Sequence, residues 1–157
     1  MAQMPRPLNP PTPLLQMPTY ALSLLGRDAR SRMAQALPEG LRLGHLAVLG
    51  ALAERSGQSQ GAVAQSLAIH PTDIVAILED LLERGLVERE LDPSDRRRKL
   101  VEITPAGRQL VLTATSDSEQ IMDELLAALD EQERLTVVRL LRRALPQKQD
   151  RGSAAGG

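Results

Sequence analysis

The sequence predicts a mainly α-helical fold that carries one small β-hairpin, and three observations predict it. Apolar residues recur at helical spacing through most of the stretch from residue 19 to residue 145. The apolar set, 42% of the chain, holds no Phe, no Trp and a single Tyr, Tyr20, so packing rests on Leu, Val, Ile, Ala and Met, which suit helical interfaces. Two strand-length runs, Leu86-Val-Glu-Arg-Glu-Leu91 and Leu100-Val-Glu-Ile-Thr104, flank a polar turn opened by Asp92-Pro93. Asp suits the first position of such a turn, and Pro presets φ at the second. The length, 157 residues, is that of one domain.

The elements follow in order. Met1 to Pro18 holds Pro5, Pro7, Pro10, Pro11, Pro13 and Pro18, which deny a helix its hydrogen bonds, so residues 1–18 read as an extended or disordered arm. A first helix over 19–37 sets Tyr20, Leu24, Ala29 and Met33 near one face and stops before Pro38-Glu-Gly40. A second runs from about Leu41 to Arg55, with Leu46, Leu49, Leu52 and Ala53 as its stripe and Ser56-Gly57 as its exit. Ser59 to Ile69 and Thr72 to Arg84 form two short helices with a tight break at His70-Pro71. Ser59 caps the earlier one, although Gly61 and Ala62 replace the polar residues of a capping box. Gly85 ends the later one where the hairpin begins. Thr104-Pro105 supplies an N-cap and a proline at the first helical position, starting a long helix toward Leu129. Asp130 caps a last helix striped by Leu135, Val138, Leu141 and Leu145, and residues 146–157 read as a disordered polar and Gly/Ala-rich tail.

Helix, turn, helix, strand, basic loop, strand is the order of a winged helix-turn-helix, whose second helix enters the major groove of DNA. The loop, Asp92-Pro-Ser-Asp-Arg-Arg-Arg-Lys99, sets four adjacent cations at a hairpin tip. A solvated charge run is the bland reading; the two helices directly upstream favour a phosphate backbone as the partner. Net charge is −1, so nucleic-acid affinity must come from such local patches. On the second helix Ile74, Ile77, Leu78 and Leu81 share the inward face, which leaves Thr72, Asp73, Ala76 and Asp80 facing out. Thr72 suits a base edge or a phosphate, Asp73 a cytosine amino group and Ala76 a thymine methyl. Asp73 equally suits the positive end of the helix dipole. The surface is acidic, since Asp73, Glu79, Asp80 and Glu83 all repel DNA. His70 reads mainly as a turn former, with a phosphate contact as the lesser alternative.

On Leu82-Glu-Arg-Gly-Leu-Val-Glu-Arg89, on the wing Asp92 to Thr104 and on Pro105-Ala-Gly107, the chain strongly resembles the MarR family of bacterial transcription regulators. That family's wing reads Asp-x-Arg, then a few residues, then an aliphatic and Leu-Thr; Asp95-Arg96-Arg97 and Ile103-Thr104 fit, with Ile in place of Leu. The likeness extends over Met17 to Leu145. It implies a DNA-binding lobe over 57–104, between dimerisation helices at 19–37 and 105–145 that interlock about a two-fold axis. A homodimer in turn implies a pseudo-palindromic operator in double-stranded DNA, its half-sites about one helical turn apart. The resemblance assigns Arg97 to the minor groove and Arg96 and Arg98 to phosphate, with Asp95 aiming an arginine through a salt bridge and Lys99 as a bystander. The basic residue that many relatives carry near position 76 is missing.

Family members bind a small, often aromatic acid between the dimerisation helices and the DNA-binding lobe, and the resemblance makes Tyr20, Arg27 and His45 the polar candidates. Each has a structural alternative: dimer packing for Tyr20, a surface cation for Arg27 and a satisfied core histidine for His45, the last preferred. The function implied is a dimeric repressor released by a small ligand. A winged helix that binds protein instead of DNA is the alternative that the acidic second helix permits.

Other classes lack material. With no cysteine there is no disulfide, thiolate metal site or thiol switch. The two histidines, His45 and His70, sit on different predicted elements without a ligand cluster. Neither a Gly-rich phosphate loop nor a nucleophile motif is present, so no enzyme, metal or cofactor is expected. No apolar run approaches about twenty residues and the start lacks a signal-peptide pattern, so the expectation is a soluble, cytoplasmic protein with no membrane partner.

Overall fold

The computed structural model describes residues 11–145. The expected arm up to residue 10 and the expected tail from residue 146 lie outside the described residues. Helices α1 (Thr12–Leu15), α2 (Pro18–Ala36) and α3 (Leu43–Glu54) precede a short strand β1 (Gln58–Ser59). Then come α4 (Gln60–Leu67), α5 (Pro71–Glu83), β2 (Val87–Leu91), β3 (Lys99–Ile103), α6 (Pro105–Leu125) and α7 (Glu131–Ala144). The fold is mainly helical with a small antiparallel sheet.

Helix therefore begins inside the stretch expected to be an extended arm. The prolines do not prevent it: α1 and α2 each carry one at the first or second helical position, where a missing N–H loses no helical partner. The hairpin expected from sequence is also part of a three-stranded sheet in the order β1-β3-β2. Two residues cannot display strand alternation, so β1 leaves no periodic signal. Its pairing sets Gln58 opposite Val101, while β2 and β3 pair from Val87 with Ile103 to Leu91 with Lys99.

The core lies around α3, which touches α4, α5, α6 and β3. His45, Val48, Leu49, Ala51 and Leu52 are buried there, whereas Leu46 and Ala53, expected in the stripe, are half-buried. A helix apolar nearly all round is a core helix, not a one-sided one. Val48, Leu49, Leu52, Val63, Ile74, Leu78 and Leu81 are the largest fully buried side chains, each contributing about 1.5–3 kcal/mol. Three of them, Ile74, Leu78 and Leu81, are on α5, so burying that stripe fixes which face of α5 turns outward.

Caps mark the joints. The Ser59 hydroxyl accepts from the Ala62 N–H at 3.2 Å. Imidazole Nδ1 of His70 accepts from the Thr72 N–H at 3.3 Å, and Pro71 opens α5 behind it. A bend of 116° separates α4 from α5, within the range of a helix-turn-helix. Gly85, at φ 67°, ends α5, and the Leu86 N–H closes the end on the Leu81 carbonyl at 2.9 Å. The Thr104 hydroxyl accepts from the Gly107 N–H at 3.1 Å and donates to the Gly85 carbonyl at 2.8 Å. It thus ties the start of α6 to the end of α5.

Helix α6 stops at Leu125, short of the expected Leu129, and the buried Leu126 has already left helical angles. Asp130 and Glu133 form a reciprocal capping box at the start of α7, both bonds 2.9 Å. No residue of α7 is buried. Its expected stripe is left open: Leu135, Leu141 and Leu145 are exposed, with Leu140 beside them, and Val138 is half-buried. Among the described residues no single helix is long and apolar enough to cross a membrane.

Candidate nucleic-acid interface

The outward face of α5 carries Thr72, Asp73 and Ala76, all exposed as expected. Asp80 was expected on the same free face, and the structure corrects this. Its Oδ1 accepts from Arg84 Nε at 2.8 Å, and its Oδ2 lies 3.1 Å from Nε2 of His45. Arg84 reaches further, donating through Nη1 to the Glu39 carbonyl at 3.0 Å. The Asp80 charge is therefore compensated, and the side chain joins α5 to α3 and to the turn between α2 and α3.

His45 completes that junction. Its Nδ1 accepts from the Arg42 N–H at 3.1 Å, which leaves Nε2 to carry the hydrogen that faces Asp80. Burial pushes the imidazole pKa below its ordinary value and outweighs the opposing pull of Asp80; Arg42 and Arg84 add to the lowering. The contact is thus a hydrogen bond from a neutral imidazole more than an ion pair. His45 is the satisfied core histidine that the sequence favoured. It does not join Tyr20 and Arg27: it lines a cavity of about 480 Å³ between α3 and α5, shared with Arg42, Asp73, Ala76, Ile77 and Asp80. Tyr20 is half-buried and Arg27 exposed on α2.

The wing tip is held by backbone bonds. The Asp92 N–H donates to the Arg98 carbonyl at 3.0 Å, the Asp95 N–H to the Asp92 carbonyl at 3.2 Å, and the Arg98 N–H to the Asp95 carbonyl at 2.8 Å. Two successive tight turns result. The Asp92 carboxylate accepts from the Ser94 hydroxyl at 2.6 Å and from the Ser94 N–H at 2.8 Å, and these bonds hold its pKa below the usual value. Asp95 was expected to aim an arginine through a salt bridge. Its Oδ1 instead accepts from the Arg97 backbone N–H at 3.0 Å, as short acidic side chains do in turns. The carboxylate shapes the loop and leaves the guanidinium groups alone. Arg96, Arg97 and Arg98 are exposed, and among the described residues none of them is in an ion pair.

Sequence reasoning missed Arg42 and Arg84. Arg84 had a legible signal, since Asp80 and Arg84 stand four apart on one helix face. Arg42 had none, because its relevance comes from the fold bringing the start of α3 against α5.

Two helices at a steep angle, a capped turn between them, and a cation-tipped hairpin define a winged helix-turn-helix. The MarR family model matches residues 39–98. A transcriptional regulator of the MarR family from Rhodococcus sp. RHA1 is 32% identical with a TM-score of 0.66, the match covering 85% of this chain and 94% of that one. The chain belongs to the MarR family of transcription regulators. A regulatory protein named for the hcr operon of Thauera aromatica is 32% identical over 105 residues, 67% of this chain; the chain spans 63% of that relative's length. BpsR of Bordetella bronchiseptica, whose DNA binding is described as regulated by 6-hydroxynicotinic acid, is 31% identical with a TM-score of 0.62, covering 80% of this chain and 96% of that one.

Proposed function

We propose that this regulator is a homodimeric repressor in the cytoplasm that binds a pseudo-palindromic operator and is released by a small molecule. In this reading 57–104 is the DNA-binding lobe, while 19–37 and 105–145 carry the dimer. Helix α5 enters the major groove, where Thr72, Asp73 and Ala76 meet base edges or phosphate. Arg97 reaches the adjacent minor groove, and Arg96 and Arg98 grip phosphate. The observation that carries the reading is the exposed arginine tip of the wing, held out by a backbone-bonded loop. With a net charge of −1 overall, such a patch is what gives the chain affinity for a polyanion.

Dimerisation rests on the exposed leucines of α7 together with Leu22 and Leu25 of α2, a surface that a second copy would cover. The ligand in this reading is a small aromatic acid, the class to which the effector of BpsR belongs. Tyr20 and Arg27 remain its polar candidates; His45 leaves that set, because both its nitrogens are engaged toward α3 and α5.

The test is binding to a duplex from the gene's own upstream region across a salt series. Arg97→Ala weakens binding to every sequence and reduces the salt slope by about one unit. Asp73→Ala shifts preference at one position per half-site, by about 1–3 kcal/mol, with little change in slope. If Arg97→Ala leaves affinity and slope untouched, the wing assignment is wrong. The exposed Asp73, Glu79 and Glu83 of α5 favour a second reading, a winged helix that binds a protein, and that outcome would put it first.

A further inference from the structure

We propose that Arg84 is a positioning residue for operator recognition: it latches the end of α5 to the turn between α2 and α3, and so sets the half-site spacing that the regulator accepts. The inference rests on the reading above, in which α5 enters the major groove and α2 belongs to the dimer. Arg84 is the C-cap of α5. Its Nε donates to Asp80 Oδ1 at 2.8 Å, one turn back on the same helix, and its Nη1 donates to the Glu39 carbonyl at 3.0 Å. The direction of that carbonyl is itself a conformational choice. The Leu41 N–H donates to the Pro38 carbonyl at 3.0 Å, Gly40 sits at φ 84°, and Glu39 is not among the residues with positive φ. Residues 38–41 therefore form a type II turn. In a type I turn at the same place the central peptide would be turned over, and the Glu39 carbonyl would point away from α5. A Cβ on Gly40 would lie 2.5 Å from Nη2 of Arg84, so the guanidinium lies directly against the glycine that holds the turn in this form.

Core packing alone does not fix the angle of α5. Ile74, Leu78 and Leu81 decide which face is buried, but apolar contact is non-directional. A planar guanidinium with acceptors on two separate elements is directional, because both bonds survive only within a narrow range of angles. The turn it grips is anchored in its own right, since Leu37 and Leu41 on either side of it are buried. Arg84 thus refers the end of α5 to the start and end of the helices around that turn. In a two-fold dimer a change in the angle of α5 against α2 is repeated in the second copy, so it alters the separation and phase of the two reading helices.

The test has one arm without DNA and one with it. The chain holds no cysteine, so S31C and E79C, at exposed positions of α2 and α5, place one spin-label pair; dilution with excess unlabelled chain leaves the distance within a single copy. The expected result is a narrow distance distribution in the parent chain and a broader or displaced one in R84A and R84K, because lysine keeps the charge but cannot span both acceptors. G40A, whose Cβ displaces Nη2, follows R84A. In the second arm the duplex from the gene's own upstream region is lengthened or shortened by one base pair between half-sites, about 35° of helical turn. The parent chain discriminates against these duplexes by about tenfold, and R84A and R84K by about threefold or less. The salt slope of R84K stays that of the parent chain. An arginine that only stabilised the fold would lower the melting temperature and weaken every spacing alike. Unchanged distances in R84A, or parent behaviour of R84K in both arms, overturn the proposal. So do altered distances with discrimination intact. A parent chain that binds every spacing equally tells against α5 as the groove-entering helix, and the distances then decide the latch alone.

Discussion

Gly107 shows how one missing carbon atom fixes a joint. A Cβ there would run into the Leu86 carbonyl oxygen and the Ile103 side chain, neither of which can yield without moving the start of the wing. Gly107→Ala is therefore expected to destabilise the chain by about 1–3 kcal/mol, the cost of overpacking a tight contact, as read from urea unfolding. An unchanged midpoint would mean that α6 can slide away from Leu86 freely. Asp95 illustrates a different point at the same scale. Its partner is the backbone of Arg97, so it governs the shape of the loop and forms no ion pair with the three guanidinium groups. The sequence showed both an acid and three bases in the loop. Which of them would pair depended on turn geometry that spacing alone does not contain.

Among the elements, α5 is held from two sides. Ile74, Leu78 and Leu81 seat it in the core, and Asp80 ties it through His45 to α3 and through Arg84 to the turn at Glu39. The His45 link depends on pH. Burial lowers its pKa from the ordinary 6.5, so the unfolded chain takes up the proton more readily than the folded one. The contribution is complete above 6.5 and is lost as pH falls through the lower folded value. In His45→Gln, unfolding free energy measured by urea should vary less than in the parent chain over the range just below pH 6.5. A parallel pH profile in the two proteins would show that His45 is not the group responsible. The caps at Ser59, Thr104 and Asp130 and the break at His70-Pro71 were legible beforehand, because each is a local bond between residues two or three apart.

For the molecule as a whole, α7 leaves an apolar face open. It buries no residue and exposes Leu135, Leu140, Leu141 and Leu145. Covering a leucine fully is worth about 1.5–3 kcal/mol, so a second copy seated on this helix is the expected state. Sedimentation equilibrium should give a mass about twice the 17.1 kDa of the chain. Replacing Leu135 and Leu141 together by Glu, at positions exposed in the single chain, should halve the mass and remove operator binding with it. A variant that stays monomeric yet binds the operator as tightly as the parent chain would refute the dimeric reading.

By itself the sequence determined the helix-turn-helix, the hairpin with its cationic tip, and the helix stripes, because periodicity, caps and turn residues act over a few positions. The alternation of a two-residue strand was too brief to read, so β1 emerged only with its pairing to β3. Tertiary structure alone decided that His45 turns toward α5 to meet Asp80, and that Arg42 and Asp73 share one cavity. Whereas the Arg84 partner of Asp80 stands only four away, the His45–Asp80 contact and the Arg42–Asp73 cavity each join residues about thirty or more positions apart. Such contacts are set by how core packing orients α3 against α5, which no local pattern encodes.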